Sequence, residues 1–198
     1  MYVRLLNYSG VKDIDGGVTF IREQALPVAR QQKGFRGVTA SVDRSRGIVG
    51  VLARWETPED REASFAGQAA LRQQGQRQVG TLEVENFEET VTETATPPRP
   101  GASLMVVRVS MDPTRVDENV AYFKSVVVPR MKEQPGFQAV GQMINRETGQ
   151  GAVGTVWADQ ESMQAWADEA RVLREEAGKA RGIKFSEPSF REIVLVES

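Results

Sequence analysis

The sequence predicts an α+β fold built from two tandem β-α-β-β-α-β repeats, the ferredoxin-like order. Three observations carry that expectation. First, Gln31-Gln32-Lys33-Gly34-Phe35 returns as Glu133-Gln134-Pro135-Gly136-Phe137. The offset of 102 holds without a gap from Val18/Val120 to Arg72/Arg174, with about a quarter of the aligned residues identical. Self-similarity at a fixed period marks a repeated structural unit. Second, each copy alternates helix-period segments with short apolar runs bounded by turn residues. Third, the run Ile48-Val49-Gly50-Val51-Leu52-Ala53 is apolar on both faces, as in a sheet covered on both sides. Helices cover one face. The simplest cover for the other is the sheet of the second copy, which makes an intrachain barrel of antiparallel sheets with helices outside.

The elements follow in order. Tyr2–Tyr8 reads as a strand. Asp15 is a fitting N-cap for a first helix whose stripe is Val18, Ile21, Ala25 and Ala29; the matching stripe is Val120, Phe123, Val127 and Met131. Pro27 and Pro129 each remove one intrahelical hydrogen bond and kink or restart those helices. Gly34 and Gly136 close them. Phe35–Val42 and Ile48–Trp55 form a hairpin, as do Phe137–Ile144 and Ala152–Trp157. Thr57 and Asp159 are equivalent N-caps, and Pro58 sits at the first helical position. Met163, Trp166, Ala167, Ala170, Leu173 and Ala177 give the second copy a continuous helix, with Glu175 placed to pair with Lys179. Its partner, Ala63–Arg77, is interrupted by Gly67 and Gly75. Phe87–Val91 and Phe190–Val196 are the last strands. The repeats are therefore 1–93 and 103–198, joined by a proline-rich linker over 94–102.

Bulk properties exclude several classes. Of 198 residues, 40% are hydrophobic and 26% charged, with a net charge of −2, which is ordinary for a globular chain. No basic patch points to nucleic acid, and no apolar run approaches the roughly 20 residues that span a bilayer. No secretory leader is read at the N-terminus, and cysteine is absent, which fits a cytoplasmic location. Histidine is absent too. The commonest metal ligand and near-neutral acid/base is therefore missing. Neither a metal nor a cofactor is expected.

The Gln134-Pro135-Gly136-Phe137 motif, the strand ending in Trp before an acidic helix start, and the duplication in this order resemble the dimeric α/β-barrel superfamily. Within it the chain is similar to the antibiotic-biosynthesis-monooxygenase-like group. The resemblance covers both halves apart from the linker. It implies a homodimer of such subunits fused into one chain, hence a monomer or weak homodimer. It implies a cofactor-independent oxidoreductase acting on, or binding, a small aromatic, quinol or polyketide-like compound. Members of the group also include haem-degrading enzymes. Many carry a histidine about nine residues after the strand's aromatic; here Ser64 and Trp166 stand in that place. That departure favours a second reading, a non-catalytic small-ligand-binding or sensor module.

Candidate ligand-binding residues follow. Trp55 and Trp157 sit at equivalent strand ends, where they line a pocket or simply anchor the core. Trp166 lies on an apolar helix stripe. Arg54 lies in an otherwise apolar strand, where a charge needs a partner or an anionic ligand. Arg4 and Arg108 are read as strand-end arginines, and Arg174 as part of a wet helix face. Asn7 and Gln142 are neutral polar groups that orient a ligand or satisfy backbone. No catalytic residue is assigned. Because Ser64 faces Trp166 across the alignment, the second copy's pocket is expected to be blocked or reshaped and the first copy's to be the more open and polar.

Overall fold

The computed structural model describes residues 1–197. Contacts divide the chain into two units. One is Met1–Asn86 with the chain end from Glu192; the other is Phe87–Arg191.

The first unit opens with β1 (Tyr2–Ser9), followed by α1 (Ile14–Phe20), a π-helical turn (Ile21–Ala25) and α2 (Leu26–Arg30). Asp13, not Asp15, is the N-cap, its carboxylate accepting from the Gly16 amide at 2.9 Å. The π-turn is the answer to Pro27. Proline has no N–H and its ring crowds the carbonyl four residues back, so the helix widens just before it and the Leu26 amide reaches the Ile21 carbonyl, five residues back. β2 (Phe35–Asp43) and β3 (Ile48–Trp55) then form a hairpin flanking β1 through β3. Thr57 caps α3 (Pro58–Gly67), accepting from the Asp60 amide at 3.0 Å. The second helix breaks at Gln68 and restarts as α4 (Ala69–Gln78).

The second unit repeats the plan. β5 (Ser103–Ser110) precedes a 3-10 turn, α5 (Val116–Tyr122), a π-turn (Phe123–Val127) and α6 (Val128–Lys132). Pro129 again follows the π-turn, and the Val128 amide again reaches back five residues, to Phe123. β6 (Phe137–Ile144) and β7 (Gln150–Trp157) form the hairpin, and β7 pairs with β5. Asp159 caps α7 (Gln160–Arg181), which runs unbroken to Gly182 in the left-handed conformation. Glu175 pairs with Arg171 at 3.1 Å. A short β8 (Lys184–Phe185) adds to β5.

The duplicated Gly-Phe motif does the same work in both units. Gly34 and Gly136 have φ of 73° and 76°, a region that favours glycine. Their carbonyls accept from the Glu56 and Ala158 amides at 2.8 Å. Phe35 then meets Trp55 edge-on at 5.5 Å and 71°, and Phe137 meets Trp157 at 5.7 Å and 74°. The motif thus seats the helix end against the strand-end tryptophan.

Two long strands belong to both units in turn. β4 (Thr81–Thr94) is in the first unit through Asn86, and its later part pairs with β6 from Glu88 to Thr94. β9 (Ser189–Glu197) enters the first unit at Glu192 and pairs with β2. The hydrogen-bonded order is β7-β6-β4-β1-β3-β2-β9-β5-β8, with β7 also paired to β5, so the antiparallel pairing closes on itself. β4 is longer than the expected Phe87–Val91 because its apolar positions change parity. Leu82 and Val84 lie on even positions, Phe87 and Val91 on odd ones. The two parts therefore bury opposite faces, and no single alternation runs the length of the strand. No helix is long and apolar enough to cross a membrane among the described residues.

Candidate functional site

Side chains alternate faces along a strand, and this parity builds a cleft between sheet and helices in each unit. In the first unit Arg4, Leu6 and Tyr8 of β1 and Val51, Ala53 and Trp55 of β3 face α3 and α4. The helix break contributes Ser64, Phe65, Gln68, Leu71 and Arg72, and the π-turn contributes Ile21 and Ala25, its first and last residues. The partly open cleft has a volume of about 80 Å³.

Its charge is concentrated in two guanidinium groups. Arg4 is 4% exposed. Its Nε donates to Asn86 Oδ1 at 2.9 Å, Nη1 to the Arg61 carbonyl at 2.6 Å and Nη2 to Glu62 at 3.1 Å. Burial pushes its pKa down to about 10, with Glu62 opposing and Arg61 and Arg72 reinforcing the shift. Arg72 Nη1 donates to the Phe65 carbonyl, one of those released by the helix break. Both guanidiniums lie over the Phe65 ring, at 4.3 and 3.5 Å from its centroid, a favourable cation–π geometry. Burial pushes the Tyr8 phenol up, while the nearby Arg72 charge opposes that. Gly75 leaves room for the hydroxyl: a Cβ there would lie 2.6 Å from Tyr8 Oη.

The second unit's cleft has the same volume, about 80 Å³. Strand pairing makes Met105 the counterpart of Arg4 and Val109 that of Tyr8. The helix positions give Trp166 for Ser64, Ala167 for Phe65 and Ala170 for Gln68. Its polar groups come from elsewhere: Asn119 of α5, Gln142 of β6 and Thr155 of β7, with Arg174 the counterpart of Arg72. Gln142 Oε1 accepts from Thr90 at 3.0 Å. Trp166 does not fill this cleft. It lies flat against Trp157, ring centroids 5.9 Å apart and planes at 25°.

Of the residues singled out from sequence, Trp55 and Ser64 meet in the first cleft, and Gln142 and Trp166 in the second. Trp157 is fully buried beneath Trp166, its Nε1 donating to Thr155 at 2.9 Å. Arg54 and Asn7, expected at a pocket, lie on the opposite face of their sheet. Each is one residue from a cleft-facing side chain, Trp55 or Tyr8, so strand parity turns it away. Arg54 Nη1 donates to Thr39 Oγ1 at 3.2 Å. Arg4 and Arg174, read as a strand-end and a wet-face arginine, line the clefts instead. The signal for Arg4 was present in the sequence. It stands opposite Ala53, two residues from Trp55, and so shares the tryptophan's face. Ser64, Phe65, Gln68, Leu71 and Arg72 likewise fall on one helical face by spacing.

No protein-family model matches the chain. Two uncharacterized proteins of Mycobacterium tuberculosis are 25% and 26% identical to it over 162 and 165 residues, spanning 81% of this chain and 72% and 69% of their own length. Among solved structures, an anthrone oxidase-like protein matches 100% of this chain and 93% of its own, with a TM-score of 0.73 at 17% identity. A monooxygenase-like protein from Listeria innocua matches 97% of this chain and 94% of its own, TM-score 0.58 at 9% identity. A heme-degrading enzyme from Listeria monocytogenes matches 97% and 99%, TM-score 0.55 at 8% identity. Identities this low speak to fold, and in fold this chain is a duplicated ferredoxin-like member of the monooxygenase-like α/β barrels.

Proposed function

We propose that the chain is a cofactor-independent monooxygenase-like protein whose first-unit cleft binds a small phenol or quinol as its anion. The observation that carries this reading is Arg4, a nearly inaccessible cation in an aromatic-walled cleft whose lining holds a second guanidinium and no carboxylate. An uncompensated buried charge is costly, and a phenolate supplies the missing counter-charge while its ring packs against Trp55 and Phe65. Tyr8, held protonated by burial, donates its O–H to the same oxygen. Electron-rich phenolates react with oxygen directly. The anion passes one electron to O₂, the radical pair recombines at ring carbon, and loss of water leaves a quinone. Overall, one C–H phenol and one O₂ give one quinone and one H₂O. The protein's part is to hold the anion and exclude water. The likeness to an anthrone oxidase-like protein supports this class of substrate.

One feature favours a non-catalytic binding or sensor role: the cleft-lining titratable groups, Arg4, Tyr8 and Arg72, are all proton donors near neutral pH. None accepts the substrate's proton. An oxygen electrode with a panel of hydroquinones separates the two readings. Oxygen uptake that Arg4→Met lowers at least roughly tenfold, the worth of one charge-assisted hydrogen bond, supports the oxygenase. Tight calorimetric binding without uptake supports the binding module. Neither uptake nor binding across the panel removes both.

A further inference from the structure

We propose that the second unit's cleft is a separate site, for a neutral single-ring aromatic compound carrying one O–H or N–H donor received by Asn119 Oδ1. This stands apart from the first-unit reading, since it concerns other residues and another ligand charge. Asn119 is 2% exposed and lines the cleft. Its Nδ2 donates to the Met111 sulfur at 3.6 Å, while Oδ1 accepts no hydrogen bond among the described residues. A buried carbonyl left unpaired costs about 1–3 kcal/mol, and the corresponding position in the first repeat, Gly17, carries no polar side chain. A buried group of this kind calls for a partner.

The walls specify the rest of the ligand. Met105, Met111 and Met131 bring polarizable, conformationally adaptable side chains to the cleft, and Phe123 and Trp166 bring rings. Thioethers and rings favour a flat aromatic. Charge does not favour an anion here. Arg174 is the charged side chain in the lining, and Glu187 acts as its electrostatic counterweight. In the first cleft Arg72 has the neutral Tyr8 in that position. At about 80 Å³ the cleft is smaller than the engineered cavity of about 150 Å³ that admits benzene. One ring is therefore the limit, and the methionines must shift to take it. The same volume could instead hold about two waters at roughly 30 Å³ each.

Methionine-methyl ¹³C NMR reads this site alone, because the first cleft has no methionine in its lining. Phenol is expected to move the Met105, Met111 and Met131 signals saturably. Toluene, the same shape without the donor, should require roughly tenfold higher concentration, the effect of one hydrogen bond. In Asn119→Leu the advantage of phenol over toluene should vanish while toluene binding persists. Signals unmoved by phenol would mean that water alone satisfies Asn119, and would overturn the proposal. Equal phenol and toluene midpoints in the wild-type protein would overturn it too, and that comparison decides the matter if Asn119→Leu does not fold.

Discussion

The two clefts share a scaffold and differ in chemistry. Both lie between a strand ending in tryptophan and a helix pair with a π-turn before proline, and both measure about 80 Å³. Yet Arg4, Tyr8, Ser64 and Phe65 in one are matched by Met105, Val109, Trp166 and Ala167 in the other. The changes are coupled. Where Tyr8 brings a hydroxyl, Gly75 makes room for it; where Val109 does not, Ala177 stands in the glycine's place. Where Trp157 has Trp166 on its face it also has Thr155 for its Nε1; where Trp55 has neither, it borders the cleft directly. Fusion of two equivalent halves lifts the requirement that one sequence serve two sites, so volume was kept while polarity diverged. The expectation that Trp166 would close the second cleft fails for a physical reason: the indole stacks on its neighbour instead of projecting into the space.

That stack gives the largest predicted effect. Trp166→Ser, which copies the first repeat, removes an almost fully buried ring and uncovers Trp157. Truncation of a buried tryptophan costs about 3–5 kcal/mol. Urea denaturation should show a loss of that order, and a quencher such as acrylamide should newly reach Trp157. A loss under 1 kcal/mol would mean that the second unit tolerates the first unit's arrangement, and that Trp166 serves a ligand and not the core.

A smaller effect separates the clefts by charge. The Arg4 pKa is pushed down to about 10 from the ordinary 12.5. The guanidinium is thus charged below that value and loses its proton as pH rises through it. Affinity of the first cleft for a phenolate should rise as pH passes the ligand's own pKa and fall again above about 10. For folding the sign is different. Between the two values the unfolded chain binds more protons at this residue, so this group makes stability rise with pH there. Calorimetry across pH should lose the high-pH fall in Arg4→Met. A profile of the same shape in wild type and variant would assign the anion to another cation.

Much of this was legible in the sequence, and the remainder fails for identifiable reasons. The repeat, both prolines, both glycine ends and both helix caps over Thr57 and Asp159 follow from local rules. β4 escaped because its apolar parity switches between Val84 and Phe87. The site was half legible. Trp55, Ser64, Gln142 and Trp166 announce themselves by position in the repeat, but Arg54 drew attention by being adjacent to a tryptophan, and adjacency in a strand means the opposite face. Arg72 and Asn119 could not be found by type alone. One depends on a helix break at Gln68, the other on an unpaired oxygen, and both are properties of packing.

The smallest prediction tests that last kind of property. Trp55 is 2% exposed, and its Nε1–H donates to no acceptor among the described residues. Its counterpart Trp157 donates to Thr155 at 2.9 Å, and the first repeat has Ala53 where Thr155 stands. Ala53→Thr therefore supplies the absent acceptor at a position the other repeat shows to be workable. Ala53 lines the cleft, so the two added heavy atoms enter open space and crowd nothing already packed. A β-branched residue also suits a strand. A neutral hydrogen bond contributes about 0.5–1.5 kcal/mol, and the denaturant midpoint should rise by that amount, with the slope unchanged. The same threonine narrows the cleft beside Trp55, so a phenolate bound there should weaken as stability rises. A gain in stability with unchanged binding would place the ligand away from Trp55. A loss of stability would show that the indole N–H is satisfied by water in the cleft, and that the threonine displaces it without replacing its bond.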